Sequence, residues 1–211
     1  ITAPNDQYNI IQWADWDAAG FAYADAHIDP RSGEITHAQV FFPSAFINAN
    51  VERRIRLMES ARQAQTVVGL SGFKSARFCQ RNILKDLSES QIDFANISKE
   101  AMDKAMRDYV FEVIAHEVGH LMGLRHNFAG NLISNYDASQ RPQLSLDYYK
   151  NMKAPEGIQM TSSVMEYSRF EESAWDGDIL QRSDSKALPY DEVALRYLYF
   201  AEKVPKDSPA F

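Results

Sequence analysis

Short hydrophobic runs near the start of the chain predict a small β-sheet. Tyr8 to Trp13 is an apolar, β-branched run that predicts a buried strand, and Phe21 to Ile28 predicts a second strand. Asp29 to Gly33 contains the Asp, Pro and Gly that favour a tight turn. Because Ile35 to Phe42 follows with alternating side chains and ends at Pro43, the two flanking runs are predicted to form a β-hairpin.

Apolar residues at helical spacing predict helices in the rest of the chain. One amphipathic pattern predicts a helix from about Asn50 to Val67, whose arginines form a solvated face. The pattern from Phe73 to Ser90 is weaker and is compatible with one short helix that contains Ile83, Leu84 and Leu87. Ser98 is a typical N-cap residue and starts a long predicted helix to about Leu121, and Asp191 favours the N-cap of a terminal helix through about Ala201.

Composition and charge restrict the class of protein. The chain has 211 residues, of which 45% are hydrophobic and 24% charged, so one globular core is expected. The net charge is −7 and no basic stripe alternates with aromatic residues, so binding to nucleic acid is not expected. No apolar run approaches the roughly 18 residues that a membrane helix needs. Cys79 is the only cysteine, which excludes an internal disulfide and favours a small buried thiol.

Two histidines and a glutamate lie in the last turns of the long predicted helix. His116 and His120 are four residues apart, so both imidazoles lie on one helix face and can reach one metal ion. Glu117 follows the first histidine on an adjacent face, where its carboxylate can approach a water molecule without binding the metal. The spacing therefore predicts two metal ligands and a general base.

A third histidine can join the same site because a glycine separates it from the helix. Gly123 can adopt the left-handed conformation that ends a helix, which would turn the chain back and bring His126 to the ion. Three imidazole nitrogens and one open position suit catalytic zinc. His27 and His37 have no such neighbours in the sequence and are interpreted as ordinary core or surface residues.

This motif resembles His-Glu-x-x-His-x-x-Gly-x-x-His, the signature of the metzincin zinc endopeptidases. That family also has a Met-turn, and Ser162 to Tyr167, Ser-Ser-Val-Met-Glu-Tyr, looks like one. The resemblance implies that Met165 underlies the metal site without ligating it. Similarity to the astacin-like and serralysin-like branches implies that Tyr167 is an extra ligand or an oxyanion donor, and a tyrosine simply packed in the turn is the alternative.

A looser resemblance covers nearly the whole chain and concerns the catalytic domains of large bacterial zinc-dependent metzincin-like metalloproteases. The residues that carry it are Tyr8 to Trp13, Asp29 to Ile35, His126 to Phe128, Pro189 to Glu192 and Leu195 to Tyr199. It implies a location in the bacterial cell envelope or outside the cell, either periplasmic or extracellular.

Two features depart from the metzincin pattern. Metzincin catalytic domains usually begin with a strand and a long backing helix, but only seven residues precede the first predicted strand. An N-terminal segment is therefore expected to be missing from this chain, which starts at Ile1 without a signal-peptide pattern and looks like a processed or excised piece. Asn127 follows the third histidine, where several named branches have Asp, Glu, Ser or Pro, so no branch is assigned.

The fold implied by the resemblance is α/β (α+β), with a small twisted mixed sheet, backing and active-site helices, and an irregular C-terminal subdomain. Within one catalytic domain, residues 1–126 are predicted to form the upper subdomain and residues 127–211 the lower one. Ile35 to Phe42 is expected to be the edge strand nearest the active-site helix, where an extended peptide could pair with it. Asp176 and Asp178 flank a glycine and suggest a solvated turn or, alternatively, a calcium site.

The predicted function is zinc-dependent hydrolysis of peptide bonds by an endopeptidase. His116, His120 and His126 would hold Zn²⁺, while Glu117 would take a proton from the attacking water and pass it to the leaving amine. Two alternatives stay open: a non-catalytic peptide-binding or structural zinc module, and a zinc amidase that acts on a non-peptide substrate. The presence of Glu117 argues against a purely structural site, which needs no base.

Overall fold

The structure is a computed structural model that describes residues 8–15, 21–46, 81–82 and 96–206. In these ranges the fold is α+β, as the sequence predicts. The strands are β1 Ile10–Ala14, β2 Phe21–Ile28, β3 Ile35–Pro43 and β4 Arg81–Asn82. The helices are α1 Lys99–Leu121, α2 Arg141–Asn151, α3 Phe170–Arg182 and α4 Pro189–Phe200. Cys79, the helix predicted at about 50–67 and the Ile83 to Leu87 part of the possible short helix within 73–90 lie outside the described residues.

The four described strands form one mixed sheet in the order β1-β3-β2-β4. β2 and β3 are antiparallel neighbours, with Ala26 opposite Ala38, and the turn between them contains Gly33 at a φ of 75°. The predicted hairpin is therefore confirmed. β1 is parallel to β3, and β4 is antiparallel to β2, so the sheet combines both kinds of pairing.

The expectation that Ile35 to Phe42 forms the sheet edge is wrong. β3 pairs with β1 on one side and with β2 on the other, and the backbone N–H of Ala38 donates to Asn9 Oδ1 at 3.0 Å. Among the described residues, β3 is therefore flanked on both sides from Gln39 to Phe41 and offers no open backbone edge there to a peptide substrate. The order of strands in a sheet depends on pairing between distant segments, so it cannot be predicted from the hydrophobic pattern of a single strand.

The interpretation of the first strand as buried is also wrong. β1 pairs only with β3 among the described strands, and its side chains Ile11 and Trp13 are 56% and 44% exposed. An apolar run predicts a strand from its composition, but the exposure of its faces depends on what packs against them. The strand itself is present, from Ile10 to Ala14.

The main core lies where α1 packs against β2, β3 and α3. An apolar face of α1 supplies part of this core, and both Tyr109 and Val113 are fully buried. The same helix face continues to His116 and His120, so the packing that holds α1 in place also aims the two histidines. Other large side chains of this core are Phe42, Phe46, Tyr148, Phe170 and Trp175.

Two of the helices in the second half of the chain are not predicted by the sequence pattern. α2 begins with Arg141 and Pro142 inside the subdomain that was expected to be irregular, and proline is tolerated there because it lies in the first turn of the helix. α3 contains Gly177 in its interior, where glycine normally weakens a helix. Packing of α3 against α1 offsets the weak helix propensity of Gly177. None of the helices in the described ranges is both long enough and apolar enough to cross a membrane.

Gly177 is required by the close approach of α3 to α1. A Cβ atom added at Gly177 would lie 1.9 Å from the carbonyl oxygen of Asp108. No side chain can occupy that space, and the neighbouring atom is backbone, so it cannot rotate away. The two helices would have to separate to admit even a methyl group.

We therefore expect Gly177→Ala to lower the free energy of unfolding by about 2–3 kcal/mol, as overpacking of a core does, despite the better helix propensity of alanine. The matched control is Gly33→Ala, where φ is 75° but nothing lies within 4 Å of the added atom. There the alanine should introduce only backbone strain, which lowers the free energy of unfolding by about 1 kcal/mol. Urea denaturation of both variants measures the difference, and equal stabilities would contradict the packing argument.

The two aspartates that suggested a solvated turn or a calcium site are instead buried in α3. Asp178 accepts hydrogen bonds from Lys104 Nζ at 2.8 Å, from Arg182 Nη2 at 2.7 Å and from the backbone N–H of Ala154 at 2.8 Å. Burial opposes its ionisation, but these donors hold the pKa of the Asp178 carboxyl below its usual value. Asp178 thus joins helices within the core, and neither sequence interpretation describes it.

Candidate metal centre

The helix α1, which carries two of the histidines, is capped at both ends. Ser98 caps the N-terminus, because its hydroxyl oxygen accepts from the backbone N–H of Ala101 at 3.2 Å. At the other end Gly123 has a φ of 91°, and the backbone N–H of Leu124 donates to the carbonyl oxygen of Gly119 at 2.9 Å. The predicted left-handed turn is confirmed. It reverses the chain directly before His126.

The three predicted metal ligands come together. One ring nitrogen from each of His116, His120 and His126 lies within 4.8 Å of the other two. The first histidine is fully buried and the other two are partly buried. Three imidazole nitrogens this close together provide the donor set of a three-histidine metal site.

Hydrogen bonds to backbone carbonyls orient two of these rings. His116 Nδ1 lies 2.5 Å from the carbonyl oxygen of Val164, and His120 Nδ1 lies 3.1 Å from that of Leu124. A carbonyl oxygen only accepts, so each Nδ1 carries the proton and each Nε2 presents a lone pair. This is the tautomer that a metal-binding histidine needs.

The state of His120 tests whether a metal fits. His120 Nε2 is buried and has no hydrogen-bond partner among the described residues. Burial lowers the pKa of His120, against the opposing effect of the Leu124 carbonyl, and so favours the neutral ring. A buried nitrogen lone pair without a partner is costly, and a divalent ion shared with two other imidazoles would satisfy it. The residues therefore fit a bound metal ion.

Glu117 and Met165 both lie near the two helical histidines, the first along the helix and the second across from it in the Met-turn. Glu117 follows His116 on α1 and is fully buried. Met165 is fully buried as well, and its sulfur would lie 2.6 Å from a Cβ atom added at Gly119. Because Gly119 lies between His116 and His120, the methionine packs directly against the helix turn that carries the two ligands. The backbone N–H of Asn127 donates to the Met165 carbonyl oxygen at 3.1 Å, which ties the Met-turn to the chain after His126.

Tyr167 lies beside the histidine cluster and is 43% exposed. Its ring centroid is 4.6 Å from that of His126 and 5.8 Å from that of His116. The side chain is therefore close enough to take part in chemistry at the site. Its partial exposure also shows that the tyrosine is not simply enclosed within the turn.

An aromatic residue that the site prediction did not assign lies next to Tyr167. Phe128 is 65% exposed, and its ring centroid is 5.6 Å from that of His126 and 5.8 Å from that of Tyr167. An exposed phenylalanine against a ligand ring forms part of the wall of the site. The only feature of the sequence that could have placed Phe128 at the site is its position two residues after His126.

Asp191 is the second residue that the site prediction missed. It was predicted to be an N-cap, but α4 begins at Pro189 with Leu188 as its N-cap, so Asp191 is the third residue of the helix. The Asp191 carboxylate is buried and accepts hydrogen bonds from Ser163 Oγ at 2.5 Å and from the backbone N–H of Val164 at 2.8 Å. It therefore connects α4 to the Met-turn.

Comparison with known proteins identifies one matching family. Residues 98–209, just over half of the chain, match a family model described as Met-zincin. The matched range contains α1, the three histidines, the Met-turn segment and the helices that follow. No curated protein and no solved structure matches the chain.

Proposed function

The chain belongs to the Met-zincin family, and from this premise we propose that it is a zinc-dependent endopeptidase. The observation that carries the proposal is the convergence of three imidazole nitrogens within 4.8 Å of one another, with a buried glutamate next to the first of them on the same helix. Family membership supports a metallopeptidase, and the geometry supports the assignment of the individual residues.

Each residue has a chemical role in this proposal. His116, His120 and His126 would each hold the ion through one ring nitrogen, and backbone carbonyl partners orient the rings of His116 and His120. Bound zinc supplies a Lewis acid that polarises the scissile carbonyl and lowers the pKa of the attacking water. Glu117 takes the proton of that water and delivers it to the leaving amine. No covalent intermediate with the protein is required.

The two alternatives differ from an endopeptidase in measurable ways. A structural zinc site normally has four protein ligands, whereas the cluster within the described ranges contains three histidines. Glu117 is buried beside this cluster, an arrangement that a structural or purely peptide-binding site does not need. An amidase for non-peptide substrates would use the same residues, so only the substrate separates it from a peptidase.

Digestion of an unstructured protein mixture tests the proposal. The zinc-loaded chain should generate new peptide termini that mass spectrometry can detect, and the Glu117→Ala protein under the same conditions is the matched control. A binding or structural module would produce no new termini. Hydrolysis of small amides without cleavage of any polypeptide would favour the amidase. The expected location in the cell envelope or outside the cell comes from the resemblance alone and stays a prediction.

Tyr167 should contribute to turnover more than to metal binding. If its phenol stabilises the developing oxyanion, Tyr167→Phe should lower kcat by on the order of 10-fold or more, because one donor to the transition state is lost. Zinc content should stay at one per chain. Tyr190→Phe is the control for loss of a tyrosine hydroxyl elsewhere in the same part of the chain. An unchanged kcat for Tyr167→Phe would mean that the ring only packs beside His126.

A further inference from the structure

We propose that Asp191 is a positioning residue for the metal ligand His116 and acts on it through Ser163 and the peptide group between Val164 and Met165. The inference rests on the metal site of the proposed function. Asp191 lies on α4, far along the chain from the histidine motif, and no part of that motif points to it. An unbroken series of hydrogen bonds nevertheless connects Asp191 to His116.

The connection consists of three hydrogen bonds in series, from His116 through a peptide group and Ser163 to Asp191. His116 Nδ1–H donates to the carbonyl oxygen of Val164 at 2.5 Å. The N–H of the same peptide group, which belongs to Met165, donates to Ser163 Oγ at 3.1 Å. The Ser163 hydroxyl in turn donates to Asp191 Oδ1 at 2.5 Å. All the donors point toward the carboxylate.

A second hydrogen bond holds the same segment from the other side. Asp191 Oδ2 accepts from the backbone N–H of Val164 at 2.8 Å. One carboxylate therefore holds both the serine side chain and the residue whose carbonyl binds His116. Since Ser163 is fully buried and Asp191 is only 2% exposed, water cannot replace these bonds without opening the core.

This arrangement orients His116 and increases its ability to bind a metal. The carbonyl that receives the ring proton is held at a defined angle, which fixes the tautomer and the direction of Nε2. Hydrogen bonds in series polarise one another, so a negative charge at the end of the series strengthens the bond at its start. Burial raises the pKa of Asp191 to about 6, against three hydrogen-bond donors that favour the charged form, so the residue is ionised above neutral pH.

Variants of two residues test the connection at pH 8. Ser163→Ala removes the hydroxyl between the peptide group and the carboxylate, and Asp191→Asn removes the charge with little change in shape. Competition with a chromophoric chelator should show that each variant binds zinc 10- to 100-fold more weakly than the wild type, as expected when a group that orients a ligand is lost. The controls are Ser145→Ala, which removes another buried hydroxyl, and Glu192→Gln, which neutralises the next residue of α4. Both controls should bind zinc like the wild type.

A spectroscopic measurement separates positioning from a general loss of stability. In zinc-loaded protein the Nδ1 proton of His116 should resonate at a lower frequency in both variants than in the wild type, because its hydrogen bond to Val164 weakens. The corresponding proton of His120, which bonds to Leu124, should not shift. A variant that is only less stable would lower the melting temperature without this selective change.

The outcomes distinguish this inference from the proposed function. Unchanged zinc affinity and an unchanged His116 resonance in Ser163→Ala and Asp191→Asn would overturn the positioning role, even if the wild type cleaves peptides. Weakened zinc binding together with the selective shift would support it, even if no peptide were cleaved. A wild-type chain that binds no zinc would overturn both.

Discussion

Replacement of Glu117 by alanine is expected to lower kcat for peptide hydrolysis by on the order of 10²–10⁴-fold while the protein keeps one zinc per chain. The reason is that Glu117 lies on the helix face adjacent to the histidine ligands and would transfer protons without binding the metal. Glu117 is fully buried, so bulk water has no ready access to its position and should not replace it as the proton acceptor. Steady-state kinetics on a peptide substrate and metal analysis of the same samples measure the two quantities.

The control for this prediction is Glu100→Ala. Glu100 is an exposed residue in the first turn of the same helix, far from the histidines, and its loss removes an equal charge. Its kcat should equal that of the wild type. If Glu117→Ala cleaved peptides at a near-normal rate, another group would have to act as the base.

The second large effect is expected from His126→Ala, which should abolish tight zinc binding and, with it, hydrolysis. Two helical imidazoles would remain, and a site with two protein ligands loses the chelation that three provide. Metal analysis after dialysis against a weak chelator should find well under one zinc per chain. His27→Ala is the matched control, because His27 is exposed on β2 and lies outside the cluster.

An unexpected result for His126→Ala would be informative. If that variant kept zinc as tightly as the wild type, a carboxylate farther along the chain would be the better candidate for the third ligand. The same analysis of His116→Ala and His120→Ala would then show whether the helical pair is still required. If only those two variants lost zinc, the two helical histidines would still be assigned as ligands. The turn at Gly123 would then have no role in delivering a third ligand.

Features that depend on neighbouring residues were predictable. The spacing of His116 and His120 within one helix determines that they share a face, whatever surrounds the helix. Gly123 could be identified as the helix terminator because only glycine adopts a φ near 91° at little cost. The hairpin between β2 and β3 was predictable for the same reason, since its turn chemistry is local.

Features that depend on pairing between distant segments were not predictable. β3 lies inside the sheet because β1 pairs with it, although β2 separates the two strands along the chain. Nothing in the hydrophobic pattern of β3 specifies β1 as its neighbour. α3 contains Gly177 because the Asp108 backbone occupies the space of its missing side chain. Asp178 has a glycine beside it and resembles a turn residue until Lys104 and Arg182 are known to be its partners.

The sequence by itself determined the candidate metal site of this protein, namely which three histidines can converge and which glutamate follows the first of them on the helix. Helix geometry and one glycine set those relations over a few residues. The tertiary structure alone decided which groups hold the site in place. Val164, Ser163 and Asp191 reach His116 only because α4 packs against the Met-turn. Hydrogen bonds between segments so far apart follow from the packing of the whole domain, and no local pattern encodes them.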